Sequence, residues 1–169
     1  MSTADVASEA PVGVDAAHFR KTVGNFATGV AIVSCIDEGD PQPHGMTISS
    51  FTSISLAPPT ILISIKPGRM HRLISKEGWF GVSVLGEDQR SHSQYFAGDR
   101  GPSVPGFATR NRIPTLKDCL AWFECEVTSR IQVHDHTLFV ARVMHCDVVG
   151  GPPLLFFSSR YSAVQTLQS

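Results

Sequence analysis

Three groups of side chains in this sequence have types and spacings suited to chemistry. The first is the stretch H-G-M-T-I-S-S-F-T-S-I-S-L, His44 to Leu56. Read with the two-residue period of a strand, it puts Met46, Ile48, Ile54 and Leu56 on a core-facing side. Thr47, Ser49, Ser53 and Ser55 fall on the other side, where only Phe51 is apolar. With Ser50 and Thr52 the stretch carries six hydroxyl residues, and no charge follows His44. Small hydroxyls donate and accept hydrogen bonds while leaving the backbone approachable. That suits a flat, polar or phosphorylated ligand lying along the strand. A Thr/Ser-rich strand that binds nothing is an equal alternative on these residues alone.

The second group is Lys66, Arg69 and Arg72 around Pro67-Gly68, at the mouth of a helix expected to start near Met70. Free N–H groups at a helix start, reached through a glycine and flanked by cations, make an anion site. We read it as a phosphate contact, with a solvated basic turn as the plain alternative. The third group is His134-Asp135-His136. Alternate histidines could reach one metal ion, but only His145 and Cys146 offer themselves as a third ligand. The other readings are a turn capped by Asp135 and a histidine placed over a redox ligand. Phe156, Phe157 and Tyr161 read as core or dimer-seam aromatics, or as a wall for a flat ring. There is no G-x-S-x-G elbow, so hydrolase chemistry has little support. No G-x-G-x-x-G or G-x-x-x-x-G-K-[ST] stretch points to a Rossmann domain or P-loop.

The elements that must position these groups are mostly strands. Ala16, Phe19, Val23, Phe26 and Ala27 predict a helix over Asp15 to Ala27, capped by Asp15 and packed on the core. Val30 to Ile36 reads as a buried strand that forms a hairpin with the hydroxyl stretch across the turn Asp37 to Pro43. Thr60 to Ile65, nearly all apolar, predicts a central strand. Met70, Leu73 and Ile74 mark one face of a helix closed by Gly78, and Trp79 to Leu85 returns as a strand. Glu87 to Ala97 has helical spacing, and Gly98 to Ile113 is irregular, a lid, a partner contact or a merely disordered stretch. Trp122 to Ile131 alternates, with Phe123, Cys125 and Val127 inward and Glu124, Glu126 and Thr128 outward. Thr137 to Val149 and Leu154 to Tyr161 complete the strands. Short turns and three small helices without strand–helix alternation point to a mainly β barrel.

A length of 169 residues suits one domain with a real core, here 15–163 between an N-terminal arm (1–14) and a short tail (164–169). A net charge of −1 gives no electrostatic reason to expect nucleic acid or an anionic membrane. Only 17% of residues are charged, as in a chain that hides surface in an oligomer. No apolar run reaches membrane-span length, and the N-terminal residues do not read as a secretory signal. Cys35, Cys119, Cys125 and Cys146 form no C-x-x-C pair and read as buried free thiols of a cytoplasmic protein.

Five stretches together carry a family likeness: F-A-T-G-V-A-I-V-S (Phe26 to Ser34), His44 to Pro59, F-G-V-S-V-L (Phe80 to Leu85), H-D-H-T-L-F-V-A-R-V (His134 to Val143) and P-L-L-F-F-S-S-R-Y (Pro153 to Tyr161). In this order they resemble the flavin reductase family, the small reductase components of two-component flavin monooxygenases. K-P-G-R-M-H, A-W-F-E-C-E-V and Q-V-H-D-H-T-L-F are most similar to the styrene/indole monooxygenase branch. The resemblance implies a flavin-binding split β-barrel with a few peripheral helices, working as a homodimer. It implies hydride transfer from NADH to FAD, with reduced flavin released to a partner monooxygenase. Carried over, Thr28, Gly29, Val30, Met46, Thr47, Ile48, Ser49 and Ser50 would line the flavin ring and ribityl chain. Ser53, Lys66 and Arg69 would serve its phosphates, and Tyr161 would lie beside it. His134 stands where the family usually has glycine, and His136 would serve the hydride site. FMN in place of FAD, and NADPH in place of NADH, stay open. A flavin-storage protein and a haem- or metal-binding split barrel are the alternatives from other classes.

Overall fold

The computed structural model describes residues 13–37 and 39–165, apart from the side chain of Pro41. In chain order the elements are α1 (Ala16–Val23), β1 (Thr28–Gly29), β2 (Ala31–Asp37), β3 (Asp40–Ile48), β4 (Thr52–Leu56) and β5 (Pro59–Ile65). Then come α2 (Arg69–Glu77), β6 (Trp79–Val84), a 3-10 turn (Glu87–Gln89), α3 (Arg90–Phe96), β7 (Phe107–Thr109) and β8 (Pro114–Leu116). The last four strands are β9 (Ala121–Val133), β10 (His136–Val148), β11 (Leu155–Phe157) and β12 (Arg160–Ser162). The expected arm and tail lie largely outside the described residues.

Seven strands form one antiparallel sheet in the order β3-β2-β6-β9-β10-β5-β4. Its two end strands, β3 and β4, follow each other in the chain with only Ser49, Ser50 and Phe51 between them. Four residue steps reach at most about 14 Å. Six gaps between strands laid flat would need about 29 Å. The sheet therefore curls until its ends meet, and the mainly β barrel read from the sequence is the observed architecture. Ser50 fixes the corner onto β5, continuing the β4–β5 pairing: its hydroxyl donates to the Ser64 carbonyl at 3.0 Å and accepts from the Ser64 N–H at 3.1 Å. Phe51 packs against the core with its ring centroid 5.3 Å from that of Phe123.

Two apolar layers hold the barrel. Inside it lie Val33, Ile61, Ile63, Ile65, Phe80, Val82, Cys125 and Phe139, closed at one end by Met70, Leu73 and Ile74 of α2. The α2 helix ends as expected at Gly78, which takes the left-handed conformation (φ +71°) that glycine adopts without steric cost. Outside the barrel, Ile32, Leu85 and Trp122 pack against Leu116, Cys119 and Leu154. The approach of β8 to the barrel wall requires glycine at position 81, where a Cβ would stand 2.7 Å from the Pro114 carbonyl oxygen.

Several expectations need correction. The hydroxyl stretch is two strands broken at the barrel corner, so its alternation does not run through. Ile54 and Leu56, expected in the core, are exposed, Leu56 to 87%. The β5 strand is second from the end of the sheet rather than central, and its apolar run reflects Ile61, Ile63 and Ile65 pointing into the barrel. Asp15 does cap α1, accepting from the Ala17 and His18 amides, but the helix ends at Val23 and buries no residue. The helical stretch after Gly86 splits into a 3-10 turn and α3, and the irregular loop contains β7, paired with β8. Cys35, Cys119 and Cys125 are buried free thiols, whereas Cys146 is exposed. Glu124, expected outward and in water, is fully buried.

Candidate functional site

The sequence-predicted residues fall into two neighbouring groups and one outlier. At one end of the barrel, β1 pairs with β11, and the Val30 N–H donates to the Leu154 carbonyl at 3.2 Å. The Thr47 hydroxyl donates to the Ser93 carbonyl on α3 at 2.7 Å, and the Ser93 and Tyr161 hydroxyls share a bond of 2.9 Å. Arg90 lies over the Tyr161 ring at 5.3 Å, and Phe156 meets that ring edge-on. Thr28–Val30, Thr47 and Tyr161 thus share one neighbourhood. Of the hydroxyls expected to meet a ligand, those of Thr47, Ser50 and Tyr161 are engaged within the protein. Ser49 and Ser53 are exposed, and no hydrogen-bond partner meets the Ser49 hydroxyl among the described residues. Val30 and Ile48 are buried, and the Val30 N–H and carbonyl are already bonded, to the Leu154 carbonyl and the Leu85 N–H. Met46 is half-buried and leans on the barrel core.

The second group is built on the adjoining ends of β5 and β10, where Ile65 pairs with Thr137. Two residues past the stitched Ser64, Lys66 extends its ammonium to Asp135, 3.0 Å away. The other oxygen of Asp135 bonds His136 Nδ1 at 2.8 Å. Those hydrogen bonds, from His136 first and then Lys66, hold the exposed Asp135 carboxyl down to about 2, so it is ionised throughout any working pH. His134 adopts φ +49°, the left-handed region that glycine enters at no cost. The turn reading of His134-Asp135-His136 is the observed one: these residues reverse the chain between β9 and β10.

Arg69 stands apart, with its guanidinium on Asp40 at 2.9 Å. It borders a cleft of about 850 Å³ between the outer edge of β3, α3 and the 98–109 loop, where His44, Tyr95, Phe96, Arg100 and Phe107 also face. Partial burial, reinforced by Arg69 and Arg100, lowers the pKa of His44. Asp40 is held below the usual carboxylate range by the Gln42 N–H and by Arg69.

Glu124 is a residue that sequence reasoning missed. Its carboxylate accepts from the Asn111 amide at 3.1 Å and the Arg112 amide at 3.3 Å, pinning the end of the loop that walls the cleft. Arg112 covers Trp79 at 4.6 Å and Arg110 covers Trp122 at 4.9 Å, so both tryptophans anchor the same segment. A carboxylate in an alternating strand reads as a solvent residue unless the sequence shows what covers it.

Residues 23–165 match the model of the flavin reductase like domain. The chain belongs to the flavin reductase family. The NADH-dependent flavin reductase StyB of Pseudomonas fluorescens is 52% identical over 156 residues, covering 89% of this chain and 91% of that relative. The styrene monooxygenase flavin reductase SMOB from Pseudomonas putida S12 superposes with a TM-score of 0.84 at 50% identity, over 89% of this chain and 99% of that one. The NADH:FAD oxidoreductase SgcE6 of Streptomyces globisporus C-1027, solved with NAD and FAD fragments, gives a TM-score of 0.80 at 28% identity, over 89% and 93% of the two chains.

The residues of this flavin reductase fit a flavin in one testable respect. A flat ring needs an open shelf with backbone within reach. A Cβ built on Gly29 meets nothing within 4 Å, and the hydroxyls of Ser49 and Ser53 are open to solvent. The backbone at Gly29 and the side chains of Ser49 and Ser53, where the hydroxyl stretch turns the barrel corner, are thus open to a flat ligand.

Proposed function

We propose that this flavin reductase oxidises NADH to reduce FAD and releases the reduced flavin to a separate monooxygenase, acting as a cytoplasmic homodimer. The observation that carries this reading is the continuity of the two groups along β5. Ser64, held by Ser50 at the corner of the shelf, lies two residues from Lys66, held by Asp135 in the histidine turn. The flavin, when bound, supplies the hydride acceptor, so the protein needs no nucleophile of its own.

The protein's task is position and electrostatics. Backbone groups of Thr28, Gly29 and Met46–Ser50 would hold the ring edge and ribityl chain, with Val30 and Tyr161 beside them. Ser53 and Lys66 meet the phosphates, whereas Arg69 stays with Asp40 at the separate cleft. Lys66 already pairs with Asp135, which moderates its pull on an anion and suits a protein that must let its product go. Asp135 holds His136 through Nδ1 and leaves Nε2 for the nicotinamide side, while His134 shapes the turn. Likeness to styrene monooxygenase reductases supports an epoxidising partner of that type. Three buried free thiols and a reducing co-substrate favour the cytoplasm, and no helix of the described residues is long and apolar enough to cross a membrane.

Mixing the purified protein with NADH and free FAD tests the reading. Nicotinamide absorbance should fall far faster than in a protein-free control; flavin binding without that acceleration would leave a storage protein. His136→Ala should slow anaerobic flavin reduction by roughly 10- to 100-fold while the flavin Kd moves less than about threefold. Equal losses in both would reduce the turn to a structural role.

A further inference from the structure

We infer that a directional chain of side-chain hydrogen bonds, His71 to Thr137 to Gln132 to the His134 carbonyl, positions the histidine turn for hydride transfer. The inference rests on the reading above that this turn serves the hydride site. It adds three residues that neither the sequence motifs nor the pairing around Asp135 brings in.

The bonds measure 2.8 Å from His71 Nε2 to Thr137 Oγ1, 2.8 Å from Thr137 Oγ1 to Gln132 Oε1, and 2.8 Å from Gln132 Nε2 to the His134 carbonyl oxygen. Their direction is forced from one end. A carbonyl oxygen can only accept, so Gln132 must present its amide N–H₂ to His134. Its amide oxygen then faces Thr137, whose single hydroxyl proton must be donated to it. That leaves Thr137 only lone pairs to offer His71, so His71 must donate from Nε2. Each member satisfies the next, and no proton is left to choose another arrangement.

The chain is anchored in packed structure at its far end. Thr137 is 4% exposed, and its neighbour Ile65 across the strand pair is a core residue. The His71 ring stands edge-on to Phe139, the two centroids 5.3 Å apart, on a helix whose Met70, Leu73 and Ile74 are buried. At its near end lies a residue in a backbone region that a side chain disfavours, His134 at φ +49°. A turn so placed needs partners to hold it. Lys66 and Asp135 hold one side of the turn, and Gln132 holds the other through the His134 carbonyl. The position of His136, two residues on, follows from both. Small displacements of a hydride-site group are costly, since misplacement by about 1 Å can cost 100-fold in rate.

Thr137→Val removes the central hydroxyl at nearly constant shape, Thr137→Ser keeps it, and Gln132→Leu cuts the chain at an exposed position where folding is not at stake. Single-turnover flavin reduction by NADH and flavin Kd are measured for each, beside His136→Ala. Thr137→Val and Gln132→Leu should each slow reduction by roughly 10-fold with flavin Kd within about twofold, and Thr137→Ser should recover most of the rate. Wild-type rates in Gln132→Leu and in folded Thr137→Val, with His136→Ala slowed, would overturn the inference and leave the hydride-site reading standing. Undiminished reduction by His136→Ala would overturn both. If Thr137→Val fails to fold, Gln132→Leu decides alone.

Discussion

Glu124 shows how much a single side chain can organise away from the chemistry. It is fully buried, and its hydrogen bonds go to the backbone N–H groups of Asn111 and Arg112 rather than to a cation. A buried carboxylate is costly unless its lone pairs are used, and here the return is a fixed end to the loop that walls the cleft. Removing it orphans two amides and opens a cavity, so Glu124→Ala should lose about 3 kcal/mol of stability in urea titration. Glu124→Gln retains one acceptor oxygen and should lose only about 1 kcal/mol. An Ala variant as stable as the Gln variant would mean that the loop does not depend on this contact. The same lesson applies to Thr47, Ser50 and Tyr161: a hydroxyl beside a ligand shelf can be spent entirely on the shelf's own construction.

At the scale of elements, the corner between β3 and β4 separates two serines that look alike in the sequence. Ser50 makes two bonds to Ser64 and fixes the corner to β5, whereas Ser49 is exposed and its hydroxyl has no partner among the described residues. Ser50→Ala should therefore cost about 1–2 kcal/mol of stability. Ser49→Leu should leave stability within about 0.5 kcal/mol and weaken flavin binding about tenfold or more, by covering the shelf. Flavin titration and urea melts on both variants check this, and a Ser49→Leu protein that binds flavin normally would move the shelf elsewhere. The contrast marks the limit of sequence reading. The α2 helix and its Gly78 stop were legible because a helix on a core writes its burial into a 3.6-residue period. The β2–β3 hairpin and most strand spans were legible for the parallel reason. The break at Ser49 was not, because alternation says which side of a strand is apolar and nothing about where a barrel turns its corner. Nor could alternation reveal that β7, β8 and the 110–113 segment cover the outer face at Glu124. Of the candidate site, the histidine turn was legible as a turn, whereas the Lys66–Asp135 pairing and the His71–Thr137 bond join residues 69 and 66 positions apart and exist only once β5, α2 and β10 are assembled.

For the molecule as a whole, the proposed homodimer can be argued from the apolar surface left uncovered among the described residues. The α1 helix is well formed and capped, yet Phe19 and Val23 remain more than half exposed, and Phe26 just past its end is 76% exposed. The helix is fastened to the small β1-β11-β12 sheet, where the Ser158 N–H donates to the Gly24 carbonyl at 2.8 Å, and Phe156 and Phe157 of that sheet are also exposed. A helix that buries nothing gains little from its own chain, since short helices are held mainly by packing. A second copy laid over α1 and this sheet would remove those five side chains from water at roughly 1–2 kcal/mol each before the costs of association. It would also explain why a chain with so few charges needs no more of them. Light scattering should accordingly give twice the 18.3 kDa mass of one chain at micromolar concentration. The double variant Phe19→Glu with Val23→Glu should run at the single-chain mass and keep its β-rich circular dichroism, because neither side chain is part of either core. A wild-type protein that stays at single-chain mass would remove the homodimer. A double variant that remains at twice the mass would place the contact on another exposed apolar edge, such as Ile54 and Leu56 on β4.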